Sequence, residues 1–127
     1  MLHYPEHLRY TDSHEYIALA DDMATIGITA FAVDQLGDIV FVDLPQVGAV
    51  LQKGQPFGTV ESVKAVEDLY APVSGVVTAI NQELIDHPEN LMHDPYGSAW
   101  LVKMQLQNAE DLADTMSSAE YASKVVG

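Results

Sequence analysis

Phe57-Gly58-Thr59-Val60-Glu61-Ser62-Val63-Lys64-Ala65-Val66-Glu67-Asp68-Leu69-Tyr70-Ala71-Pro72 is the stretch whose reading decides the fold. A β-type run, Phe57 to Val60, enters it, and a second apolar segment, Leu69-Tyr70-Ala71, leaves it before Pro72 breaks the pattern. Lys64 therefore falls near the tip of a turn between two strands. Small residues (Ser62, Val63, Ala65, Val66) surround it, and Glu61, Glu67 and Asp68 lie within four residues of it. The same grammar of short apolar runs between turn residues extends on both sides. Upstream are Gly37 to Leu44, ended by Pro45, and Val47 to Leu51; downstream are Val76 to Ile80 and Trp100 to Met104. Many short strands at close intervals predict an all-β sandwich or barrel.

Tyr16-Ile17-Ala18-Leu19 and Thr25-Ile26-Gly27-Ile28 form a predicted hairpin about Asp21-Asp22. Thr29 to Leu36 is a helix candidate, with Thr29 as N-cap and Gly37 as stop. Gln55-Pro56-Phe57-Gly58 echoes Asp94-Pro95-Tyr96-Gly97, which suggests two similar β halves facing each other. From Gln107 onward the composition turns to Ala, Glu, Asp and Ser. Leu112, Met116 and Ala119 fall at helical spacing, and Ser117-Ser118-Ala119-Glu120 fits a capping box. One or two helices are expected there. No linker composition separates them, so the 127 residues read as one domain, with a core over about residues 8–106 and a helical tail over about 107–127.

The charge balance narrows the partners. Five Lys and Arg stand against nineteen Asp and Glu, a formal net charge of −14. Nucleic acid and anionic membrane both demand basic patches, so neither is an expected partner. No apolar run reaches the roughly 18–20 residues of a membrane span. The first residues lack the signal-peptide and transit-peptide patterns, so a cytoplasmic, monomeric protein is expected, or a mitochondrial-matrix one only if a transit peptide was removed. Cysteine is absent, which removes disulfides and thiolate metal sites. His87 and His93 show no metal spacing and read as surface loop residues, and no metal site is expected. His14 beside Glu15 has no accompanying nucleophile motif, and there is no Gly-rich phosphate loop.

Lys64 suits covalent modification: a carrier lysine must project while its base stays rigid, and a tight β turn supplies both. Acidic neighbours keep an ammonium charged, which argues against a self-activated nucleophile. On local features alone, an exposed lysine that balances charge in an acidic loop is the leading reading.

The stretch Phe57 to Ala65 resembles the lipoylation motif of the glycine cleavage system H-protein family. So do Tyr10-Thr11-Asp12-Ser13-His14-Glu15-Tyr16, Ala24 to Thr29, Gln35 to Pro45, Leu69 to Gly75, Asp94 to Gly97 and Trp100-Leu101. The similarity runs from about residue 8 to about 124. It implies a mainly β barrel-sandwich hybrid of the lipoyl/biotinyl type: two facing antiparallel sheets with a short helix near 29–36 and a C-terminal helix. Lys64 would carry lipoic acid in amide linkage, with Glu61, Ser62, Val63 and Ala65 forming the recognition sequence around it. The arm would accept an aminomethyl group from glycine decarboxylase (the P protein) and present it to the aminomethyltransferase (the T protein). Dihydrolipoyl dehydrogenase (the L protein) would reoxidise it, and lipoyl-attaching enzymes would install it. Such a chain is a carrier and not an enzyme; the missing cysteines fit, since the dithiolane would bring the only redox sulfurs.

The resemblance further implies an arm-docking cleft at Ser13, Glu15 and Asp68, where carboxylates could hold an ammonium by charge-assisted hydrogen bonds. Tyr16 stands where the family often has Trp, Gln35 where some members carry His, and Ala30 where Asp is frequent. These departures bear on the cleft and leave Lys64 untouched. Two further readings stay open: an H-like lipoyl donor or relay, and a lipoyl domain of another multienzyme complex. Against the biotin carriers stand Val63 and Ala65, where those proteins place Met.

Overall fold

The structure, a computed structural model, describes residues 2–126, so Met1 and Gly127, the ends of the expected domain and tail, lie outside the described residues. Alternation and turn chemistry yield nine strands among these residues: β1 (Arg9–Tyr10), β2 (Glu15–Ala20), β3 (Met23–Ile28), β4 (Ile39–Asp43), β5 (Val50–Leu51), β6 (Pro56–Ser62), β7 (Val66–Tyr70), β8 (Gly75–Ile80) and β9 (Val102–Leu106). They form a six-stranded sheet in the order β1-β2-β3-β9-β8-β5 and a three-stranded sheet in the order β4-β6-β7. All described pairings are antiparallel. The fold is thus the mainly β, two-sheet class that the sequence implied.

Local signals placed several elements closely. The β2–β3 hairpin turns at Asp21, which adopts φ 57°, a left-handed conformation that Asp tolerates. Helix α1 (Ala30–Leu36) is capped by Thr29, whose side chain accepts from Ala32 N–H. It ends at Gly37, whose φ of 81° suits a residue without Cβ. The last helix, called α3 here, spans Ser118–Val126 and opens with the expected reciprocal capping box: Glu120 N–H donates to Ser117 Oγ and Ser117 N–H to Glu120 Oε1.

Three expectations are corrected. The two β halves are unequal, and the echoed segments differ: Pro56 opens β6, whereas Asp94 to Gly97 is a turn. Leu112, Met116 and Ala119 do not share a helix. Leu112 ends a 3-10 turn over Ala109–Leu112, while the backbone of Met116 pairs with Tyr10 in both directions and is unavailable to a helix. The loop expected around His87 and His93 contains helix α2 (Gln82–Asp86) and a 3-10 turn (Pro88–Met92), although both histidines are exposed as expected.

The main core lies between the sheets. Ile26, Val77 and Met104 from the larger sheet meet Val42 and Val60 from the smaller, and Val33 and Leu36 of α1 close one side. A second cluster of Leu8, Tyr10, Tyr16 and Tyr121 holds α3 against the N-terminal strands. Gly27 makes room for it: a Cβ there would meet the ring of Tyr16, its partner across the hairpin.

Candidate functional site

The β6–β7 turn is built by Ser62. This buried side chain accepts from Ala65 N–H (3.1 Å) and Lys64 N–H (3.3 Å), while Ser62 N–H donates to Ala65 O (2.8 Å). Val63 N–H donates to Asp38 O (3.0 Å), which ties the turn to the segment after α1. The bond pattern leaves two side chains pointing out: Val63, 71% exposed, and Lys64, also exposed. Ala65 is half-buried against the core.

Lys64 leans over Gly37; a Cβ on that glycine would lie 3.5 Å from Lys64 Cε. Each other Lys or Arg side chain is engaged by its own chain. Arg9 donates to Thr115, Lys53 to Asp114 and Asp111 O, Lys103 sits over the Trp100 ring, and Lys124 pairs with Asp12. Among the described residues, Lys64 is the one Lys or Arg side chain with no hydrogen bond, ion pair or ring contact.

Next to the turn, a bulge in β4 between Ile39 and Phe41 leaves Val40 and Phe41 both about half exposed. The pairing Phe41↔Glu61↔Val66 sets these three side chains in one row on the outer face of the small sheet. An apolar strip crossed by one carboxylate thus borders the lysine.

Beside the turn, with Leu36 and Ala65 in its wall, opens a cleft of about 390 Å³. Its lining includes Ser13, His14 and Glu15 from the turn into β2, Phe31 and Gln35 from α1, and Glu67 and Asp68 from β7. All three residues expected in the arm-docking cleft border this space. Glu15 is 1% exposed, and its carboxylate is well supplied with donors. Oε1 accepts from Thr11 Oγ1 (2.8 Å) and from Ser13 Oγ; Oε2 accepts from Tyr70 N–H (3.2 Å) and keeps room for one further donor. Burial pushes the Glu15 pKa up, and these hydrogen bonds oppose the rise.

The two acids of β7 differ. Glu67 is paired with Val60, whose side chain lies in the core, so alternation directs Glu67 to the cleft face. Asp68 is paired with Thr59 and shares the outer face with it, bordering the cleft from its rim. Glu67 is therefore a cleft residue that sequence reading passed over; the period-two pattern of β7 was the signal that could have found it. His14 is another. It stands at φ 72° and lines the cleft beside Phe31, with ring centroids 5.0 Å apart.

A small two-sheet β body that offers a free lysine on a rigid turn beside an acid-lined cleft has the build of a swinging-arm carrier. The glycine cleavage H-protein family model matches residues 8–126. The glycine cleavage system H protein of Synechococcus sp. (strain JA-3-3Ab) is 64% identical over 126 residues, covering 99% of this chain and 98% of that protein. The H protein of Thermosynechococcus vestitus is 59% identical, with the same coverage. A crystal structure of a glycine cleavage system H protein from Mycobacterium marinum superposes with a TM-score of 0.91 at 38% identity, covering 98% of this chain and all of that one.

The chain belongs to the glycine cleavage H-protein family. It is accordingly a lipoyl carrier that works with the other components of the glycine cleavage system, and not itself a catalyst. No described helix is long and apolar enough to cross a membrane.

Proposed function

We propose that Lys64 is the residue that bears the lipoyl group, and that the cleft of Ser13, Glu15, Glu67 and Asp68 receives the loaded arm. The carrying observation is the freedom of Lys64. It is the one Lys or Arg side chain left unengaged among the described residues, it sits on a turn pinned by Ser62, and its neighbour Ala65 lines an acid-bearing cleft. When bound, lipoic acid supplies a disulfide that can be opened, loaded with an aminomethyl group and closed again.

The chain's own residues do the rest. Ser62 fixes the turn from inside, so that Val63 and Lys64 are presented outward to an attaching enzyme, with Glu61 and Ala65 completing the contact. Glu15, already ordered by its donors, offers Oε2 to the ammonium of the cargo; Ser13 and Thr11 prevent that carboxylate from turning away. Water exclusion follows from the apolar walls, Phe31, Leu36 and Leu69. The exposed strip of Val40, Phe41, Val63 and Val66 suits docking by glycine decarboxylase, the aminomethyltransferase, dihydrolipoyl dehydrogenase and the lipoyl-attaching enzymes. The chain acts as one carrier domain in the bacterial cytoplasm, a reading supported by bacterial relatives that align over 98% of their length.

Reconstitution tests the reading. The lipoylated chain should stimulate glycine–bicarbonate exchange by a glycine decarboxylase, and the Lys64→Arg chain treated in the same way should not. Equal stimulation by both would refute Lys64 as the working site.

A further inference from the structure

His14 is fixed from behind by the C-terminal helix. Its Nδ1 lies 2.7 Å from the Tyr121 hydroxyl, which lies 2.7 Å from Thr29 Oγ1. The protons can be assigned by counting. Thr29 is fully buried, and its Oγ1 already accepts from Ala32 N–H (3.2 Å). Among the described residues, the only remaining partner for the Thr29 proton is the Tyr121 oxygen. The Tyr121 proton then has one acceptor left, His14 Nδ1. Thr29 O–H donates to Tyr121, and Tyr121 O–H donates to His14.

A neutral His14 that accepts at Nδ1 carries its proton on Nε2. Nε2 has no hydrogen-bond partner among the described residues. Among the described residues no buried side-chain nitrogen or oxygen lacks a partner, so Nε2 lies on accessible surface, and His14 lines the cleft.

We propose that His14 is a positioning residue for the arm: the Thr29–Tyr121–His14 chain of hydrogen bonds holds its ring neutral and turns Nε2–H into the cleft, adding a donor without adding positive charge beside an ammonium cargo. This rests on the cleft receiving the loaded arm. The groups facing His14 are Tyr121 and Lys124 of α3, Asp12 of its own turn, Glu67 of β7 and the Phe31 ring of α1. Burial and Lys124 lower the His14 pKa, against the smaller upward pull of Asp12 and Glu67. A protonated His14 would repel the cargo and would also break the bond order, since Nδ1–H and the Tyr121 proton would then compete for the same line.

Long-range ¹⁵N–¹H spectra of the unlipoylated chain read the tautomer directly. The expected result is a protonated Nε2 and a bare Nδ1 on His14; a protonated Nδ1 overturns the proposal. Tyr121→Phe keeps the ring stacked on Tyr10, 4.9 Å away, and removes only the hydroxyl. In this variant the His14 titration midpoint should move up and the tautomers should mix; an unchanged spectrum overturns the proposal.

On the lipoylated, aminomethyl-loaded chain, Tyr121→Phe and His14→Asn should each release ammonia to water about fivefold faster, the factor that one hydrogen bond is worth. Asn tolerates the left-handed backbone at that position. Glu15→Gln is the comparison. If it accelerates release while the other two variants do not, the His14 proposal fails alone. If no variant accelerates release, the cleft reading fails and takes this proposal with it.

Discussion

The Ser62–Ala65 turn and the Thr11–Glu15 turn are both tight, and they treat their functional side chains in opposite ways. At the first, a single buried hydroxyl organises the backbone, and among the described residues the lysine side chain makes no hydrogen bond or ion pair. At the second, Glu15 is held by Thr11, Ser13 and Tyr70, and His14 by Tyr121, 107 residues away. In the proposed function, the lysine turn serves reach and the acidic turn grip. A swinging arm needs both, because transport requires freedom and cargo protection requires order. The cost of each also differs. Freedom at Lys64 leaves an ion-pair opportunity unused, whereas grip at Glu15 requires burying a carboxylate that would prefer water.

The contrast can be broken from the gripping side with the largest effect. Glu15→Ala removes the acceptor shared by Thr11 Oγ1, Ser13 Oγ and Tyr70 N–H and should destabilise the fold by about 2–3 kcal/mol in urea unfolding. Loss of less than half that would mean water already satisfies the site. Next comes Gly37→Val, which forces a β-branched residue to φ 81° beneath Lys64. It should cost about 1–3 kcal/mol and slow enzymatic lipoylation, measured by intact mass against time. Ser62→Ala removes the staple of the reaching turn. It should cost about 1 kcal/mol and broaden the amide signals of Val63 to Ala65 without disturbing those of Glu15.

The smallest effect is a pH dependence. The folded-state pKa of His14 is lowered, so its contribution to stability is present above the unfolded value of about 6.5 and is lost as pH falls through the folded value. The stability advantage of the native chain over Tyr121→Phe should therefore shrink on acidification from pH 7 toward pH 5. An advantage that grows over that range would contradict the neutral assignment.

What was legible in the sequence was local. The β2–β3 hairpin, the Thr29 cap, the Gly37 stop and the Ser117–Glu120 box each rest on residues within a few positions of one another. The division into six and three strands was not legible, because the β3–β9 and β5–β8 pairings join segments far apart in the chain. Helix α2 escaped notice since Gln82–Asp86 is too short to show a period and lacks a side-chain cap. Ser13, Glu15 and Asp68 came from family resemblance, and all three border the cleft. Glu67 was overlooked in favour of Asp68, although the strand period separates their faces. The link from Tyr121 to His14 had no local trace at all, since it depends on α3 folding back across the N-terminal strands.

The central claim is that the lysine left free is the lysine that carries the arm. Peptide-level mass spectrometry of the chain, purified from a lipoate-replete bacterial cell, tests it most directly. The account predicts one lipoyl adduct, on the peptide containing Lys64, and none on peptides containing Lys53, Lys103 or Lys124. An adduct on any of those three, or an unmodified Lys64 in a cell whose other lipoyl proteins are loaded, would contradict it.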